Sequence, residues 1–159
     1  DPNLRPPLWK SLEDAKEQVK YGLEHCDVLK ISDNEILWFT EEEDFDAGIE
    51  KIRQEYQIPL ILLSMGKEGS RAYYKDLRVE VKPFLQENTI ETTGAGDTFG
   101  ACCLHSVLKY GLDNFDESKL VEMLTFANAA ASIITTRKGA LRVMPSFTEI
   151  KELIKSKEL

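Results

Sequence analysis

The chain has 159 residues, with 20 Lys or Arg against 28 Asp or Glu and a net charge of −8. At 42% hydrophobic and 30% charged, it has the composition of one soluble globular domain able to bury a core. The acidic balance speaks against a nucleic-acid binder, which would show a basic face. The longest apolar stretches, such as 58–63, are too short to cross a bilayer, so no membrane partner is expected.

No basic segment precedes an apolar run at the start, so no secretory signal is expected. The opening Asp1-Pro2-Asn3 reads as mid-sequence, the pattern of a fragment. Cys26, Cys102 and Cys103 form no CxxC pair and leave an odd thiol. Reduced, mostly buried cysteines in a cytoplasmic protein are the expectation. His25 and His105 have no partner at metal-ligand spacing.

In chain order, the prolines of 1–9 exclude regular structure. Ser11 followed by Asp14 opens a helix over 11–25, with Leu12, Ala15, Val19 and Leu23 on one face. A short strand over 28–31 leads into Ser32-Asp33-Asn34-Glu35, a strand-to-helix turn rich in capping residues. The spacing of Phe45, Ile49, Ile52 and Tyr56 predicts a helix over 43–56. Residues 59–65 are continuously apolar, the pattern of a strand buried on both faces. A turn at 66–69 and a strand pair at 70–74 and 78–81 follow. A Gly-rich loop over 92–96 precedes a small-sided, apolar helix over 97–110, which must be buried. Helices over 117–135 and 146–157 complete the chain, the last with Ser146 and Glu149 as a capping box. Helices alternating with buried strands imply an α/β fold with a mainly parallel sheet flanked by helices, in one domain spanning 1–159.

The segment Glu91-Thr92-Thr93-Gly94-Ala95-Gly96-Asp97-Thr98-Phe99 carries the chemistry. A helix start offers unpaired N–H groups and a partial positive charge, and small residues let a phosphate approach closely. An aspartate beside such a cradle would repel a phosphate that only came to bind. It suits a carboxylate that takes a proton from a hydroxyl attacking a phosphoryl group. The competing reading is an ordinary helix cap with Asp97 as the capping residue. The patterns GxxxxGK[ST] and GxGxxG are both absent, since Ile61 and Phe99 stand where glycines would be needed.

The longer string Thr92–Ala101 resembles the C-terminal signature of the ribokinase-like carbohydrate kinases, and within them most closely fructokinases. That resemblance implies a ribokinase-like three-layer architecture of which this is the C-terminal portion. It implies Asp97 as catalytic base, with Gly94, Ala95 and Gly96 as the anion hole. It further implies ATP and Mg²⁺ as cosubstrate and cofactor, with K⁺ as an optional addition. Residues 1–9 are similar to a segment of keto-sugar kinases, which makes Arg5 a substrate or phosphate contact. Ser32-Asp33-Asn34-Glu35 resembles a motif whose glutamate, here Glu35, organises magnesium through water; Ser32 replaces its Asn. Ser64-Met65-Gly66-Lys67-Glu68-Gly69 resembles a turn near the nucleotide phosphates, implicating Ser64, Gly66 and Gly69. Asn128, with residues 136–140 after it, resembles a nucleotide-edge helix and loop. Glu91 and Thr93 occupy the place of a monovalent-cation site, although Glu91 replaces the usual aspartate.

Taken singly, these secondary motifs have plainer readings: Glu35 as a first-turn helix residue, Gly66 and Gly69 as a turn, Asn128 as a capping amide, Arg5 as a surface residue. Family members are about twice this length, so the sugar-binding N-terminal part and its lid are expected to be absent. The expected function is ATP-dependent phosphorylation of a sugar hydroxyl, with the fragment inactive alone. A kinase for a 2-keto-3-deoxy sugar acid or a nucleoside, a non-catalytic nucleotide-binding module, and a scaffold domain are the alternatives. The expected partners are a small-molecule sugar and ATP, with a homodimer of the intact protein left open.

Overall fold

Short polar side chains set the helix starts. Ser11 accepts the amide of Asp14, Asp44 that of Ala47, and Asp116 that of Lys119. Each bond satisfies one of the amides a helix start leaves unpaired. The computed structural model describes residues 1–157. It contains α1 (Leu12–Glu24), β1 (Val28–Ser32), α2 (Asp33–Thr40), α3 (Phe45–Tyr56), β2 (Leu60–Ser64), β3 (Ser70–Tyr74), β4 (Leu77–Val81), α4 (Ala95–Tyr110), α5 (Glu117–Ile134) and α6 (Phe147–Lys157). Ser146 and Glu149 form the expected reciprocal cap of α6.

Two helices differ from the sequence reading. α2 starts inside the expected strand-to-helix turn and runs on to Thr40, an extent the sequence does not mark because Ile36-Leu37-Trp38-Phe39 has no readable period. A complete capping box of Ser32 and Glu35 nucleates it, and Glu41 in the left-handed region ends it. α4 begins at Ala95 rather than 97, with Gly94 as its cap at φ 78°. Asp97 is therefore the third residue of the helix and not its cap.

The sheet has the order β1-β2-β3-β4. β1 and β2 run parallel, from Val28 opposite Leu60 to Ser32 opposite Ser64, and α2 and α3 make the crossover. The mainly parallel expectation holds for that pair. β2–β3 and β3–β4 are antiparallel, so the sheet is mixed. The connections at 65–69 and 75–76 are too short for a crossover and permit only hairpins.

Period-two alternation divides the core. Leu29, Ile31, Ile61, Leu63 and Tyr73 face α1–α3, where Val19, Leu23, Ile36, Phe39, Ile49 and Ile52 meet them. Leu60, Leu62, Ala72, Tyr74 and Val79 face α4 and α5 through Phe99, Cys103, Leu120, Met123, Leu124 and Ala127. Three layers result, helices on both sides of one sheet. Ile150 of α6 packs outside them on Ala129 and Ala130 of α5. Among the described residues no helix is long and apolar enough to cross a membrane.

Candidate active site

β1 and β2 end level with each other, at Ser32 and Ser64. In open α/β sheets the carboxyl ends of parallel strands are where ligands collect. The start of α4 lies over this end. Gly94 needs its positive φ to turn the chain into the helix, and a Cβ there would crowd the Ala140 Cβ at 3.2 Å. Thr98 bonds back to the Gly94 carbonyl at 2.9 Å, and Ala95 to the Thr92 carbonyl at 3.1 Å. Ala95 therefore does not offer a free donor. The amides of Gly94, Gly96 and Asp97 have no acceptor among the described residues. Of the expected 94–96 amides, those of Gly94 and Gly96 are free and that of Ala95 is taken, while Asp97 adds a third free one. Asp97 is exposed, and its carboxylate makes no hydrogen bond or ion pair among the described residues.

Lys30 of β1 adjoins this turn. Its Nζ would lie 3.4 Å from a Cβ on Gly96, and 3.3 Å from Asp1 Oδ2. The segment 1–5 reaches the site because Leu4 donates its amide to Glu35 Oε1 at 2.8 Å. Glu35 Oε2 accepts from both the amide and the hydroxyl of Ser32, at 2.9 and 2.8 Å. Burial pushes the Glu35 carboxyl up, but the amides of Ser32 and Leu4, the Ser32 hydroxyl and the charge of Lys30 outweigh it and hold it below the usual range. Glu35 is thus a cap and a tether at once. Arg5 is exposed and bonds only its neighbour's carbonyl, that of Leu4.

A second group forms around the turn after β2. Met65 donates to the Gly69 carbonyl at 2.9 Å, closing the loop, with Gly66 at φ 52° and Gly69 at φ 99°. A Cβ on Gly69 would strike the Val81 carbonyl oxygen at 2.2 Å. Asn128 donates its side-chain amide to the carbonyls of Val81 and Lys82, both at 3.2 Å. Gly69 and Asn128 therefore converge on the exit of β4.

Between 90 and 139 two loops are stitched together. The amides of Ile90 and Glu91 share the Thr135 carbonyl, and Glu91 Oε1 accepts from Gly139 at 2.7 Å. Thr93 is exposed, and its hydroxyl has no partner among the described residues. No group of three or more His, Cys, Asp or Glu side chains able to hold a metal exists among the described residues.

Helices on both sides of a mixed sheet make this an α/β layer protein, with an acid and free amides at the start of α4. The chain belongs to the pfkB family of carbohydrate kinases, whose model matches residues 1–146. It is 36% identical to fructokinase-2 of Solanum lycopersicum over 98% of this chain and 47% of that protein. It is 34% identical to fructokinase-1 of Zea mays over 97% of this chain and 47% of that protein. The chain thus spans about half the length of these relatives. Its fold superposes on a Vibrio cholerae fructokinase bound to fructose, ADP and calcium with a TM-score of 0.85, at 25% identity over 97% of this chain and 49% of that one. A Xylella fastidiosa fructokinase with bound ATP gives a TM-score of 0.83 at 25% identity, over 99% and 51%.

Lys30, which the structure sets against Gly96, is not among the residues expected at the site. A lysine inside the otherwise apolar Val28-Leu29-Lys30-Ile31 was the available signal.

Proposed function

We propose that the intact protein transfers the γ-phosphoryl group of ATP to a sugar hydroxyl, with a keto-sugar such as fructose as acceptor. The observation that carries this reading is the exposed, unpaired Asp97 carboxylate in the turn that leaves three amides free. A phosphate binder gains nothing from that acid, whereas a transferase needs a proton acceptor there. The fructokinases among its relatives support the choice of sugar.

In the proposed step the hydroxyl oxygen bonds to the γ-phosphorus while the bond from that phosphorus to the β-phosphate bridging oxygen breaks. The proton passes to Asp97, and ADP leaves with the electron pair. The free amides of Gly94, Gly96 and Asp97 stabilise charge on the transferring oxygens. Magnesium would arrive on the nucleotide phosphates and neutralise them, as it does where few protein ligands are offered. Glu35, already holding three donors, would reach it only through water. Ser64 and Gly66 would line the phosphate end of the nucleotide site, with Gly69 and Asn128 as its framework. The chain would form the ATP-binding C-terminal part, and an N-terminal part with its lid would hold the sugar and exclude water.

Asp97→Asn in the full-length protein is the direct test. Turnover should fall by about 1,000-fold or more, with MgATP affinity by calorimetry nearly unchanged. Activity equal to the parent's would sink the mechanism. A panel of fructose, a 2-keto-3-deoxy sugar acid and a nucleoside decides the acceptor.

A further inference from the structure

Alternation along β1 sends Leu29 and Ile31 to the α1–α3 face, while Val28 packs on the α4–α5 side. Lys30 shares the parity of Val28, so its side chain runs beneath the start of α4. Only 13% of that side chain is exposed. Its ammonium rests against Gly96, one residue from Asp97. The carboxylates of Asp1 and Glu35 attract this ammonium from one side, and the start of α4 repels it from the other. A helix start is the positive end of the dipole, and the neighbouring amides of Gly94, Gly96 and Asp97 point no acceptor toward it. Asp1, with 31% of its side chain exposed, is the ion-pair partner, at 3.3 Å. An anion lying between the ammonium and the helix start would turn this mutual repulsion into two attractions.

We propose that Lys30 contacts the transferred phosphoryl group, with Asp1 as the positioning residue that holds the ammonium until the nucleotide arrives. The assignment rests on the phosphotransfer reading above. The γ-phosphoryl group is singled out because Asp97 must touch the hydroxyl that attacks it, and Lys30 lies against Gly96, the residue before it. As the bond to the bridging oxygen of ADP breaks and the bond to the sugar oxygen forms, the ammonium stays bonded to the equatorial oxygens. Lysine suits this task as a compact, rotatable point charge.

The full-length protein is assayed with MgATP and fructose as the parent, Lys30→Met, Lys30→Arg and Asp97→Asn, with MgADP affinity measured by calorimetry on each. Lys30→Met should lower kcat on the order of 100-fold, the scale of losing one charge-stabilising donor, while MgADP affinity stays within about twofold. Lys30→Arg should recover part of kcat. A Lys30→Met kcat within about threefold of the parent, with Asp97→Asn inactive, overturns the role of Lys30 and leaves the kinase reading standing. Loss of MgADP binding together with kcat in Lys30→Met also overturns it, because the lysine then only holds the site together. A parent with no MgATP-dependent turnover on fructose or on the other sugars and nucleosides tested removes the underlying reading, and this one with it.

Discussion

A methyl group on Gly69 would meet the Val81 carbonyl oxygen at 2.2 Å, while one on Gly96 would meet only the tip of Lys30, at 3.4 Å. Gly69 also sits at φ 99°, closed to other residues without strain. Gly69→Ala should therefore cost about 3 kcal/mol or more of stability in urea unfolding, from strain plus a backbone clash that cannot relax. Gly96→Ala should leave the unfolding midpoint nearly unchanged, because a flexible lysine can move aside. Its effect should appear as weaker MgATP binding. In the sequence both glycines stand in family-like motifs and look alike. Lys30 left one ambiguous signal, its apolar neighbours: a lysine at an alternating strand position reads as a solvent-facing residue until α4 is known to lie over it.

The capping box of α2 couples a helix to the segment that precedes α1. Glu35→Gln removes a charged acceptor of three donors and should destabilise the protein by about 1–2 kcal/mol at neutral pH. The folded Glu35 carboxyl lies below its ordinary value. Its contribution is therefore complete above the unfolded glutamate value of about 4.3, and it is lost as pH falls through the lower folded value. Denaturant titrations at stepped pH should show a steeper acid loss for the parent than for Glu35→Gln. Equal slopes would mean that the carboxylate is not carrying the tether.

At the loop pair, the Gly139 amide already neutralises one oxygen of Glu91. Glu91 Oε2 and the Thr93 hydroxyl have no hydrogen-bond partner among the described residues, and those two oxygens alone would make an incomplete shell for the expected cation. Turnover of the intact protein should accordingly be similar in potassium and in tetramethylammonium salts. A tenfold stimulation by potassium would show that the loops open to admit it. The substitution of Glu for Asp was visible in the sequence. That the longer side chain would take up a backbone amide was not, since it depends on how two loops 48 residues apart meet.

For the molecule as a whole, the alternation of helices and strands was legible because α1 and α3 bury one clear face and β2 is apolar throughout, while α2 had only its capping residues to show it. The mixed character of the sheet was open to inference from the short connections at 65–69 and 75–76, but the apolar run of 59–65 argued only for burial and not for direction. β1 has no neighbour on its outer side among the described residues. Leu104 and Leu108 of α4 are 51% and 87% exposed. With about half the length of its relatives aligned to it, the chain by itself should bind MgADP yet give no turnover in a coupled MgATP and fructose assay. Turnover comparable to that of an intact relative would show that the sugar pocket is complete in these residues.

The closed turn from Met65 to Gly69 fastens the end of β2 to the exit of β4, with Gly69 pressed against Val81 and Asn128 gripping the same carbonyl. It works as a buckle: neither strand end can drift without the other. Its signature lies in time rather than in shape. The Met65 amide should exchange with deuterium only when the whole domain opens.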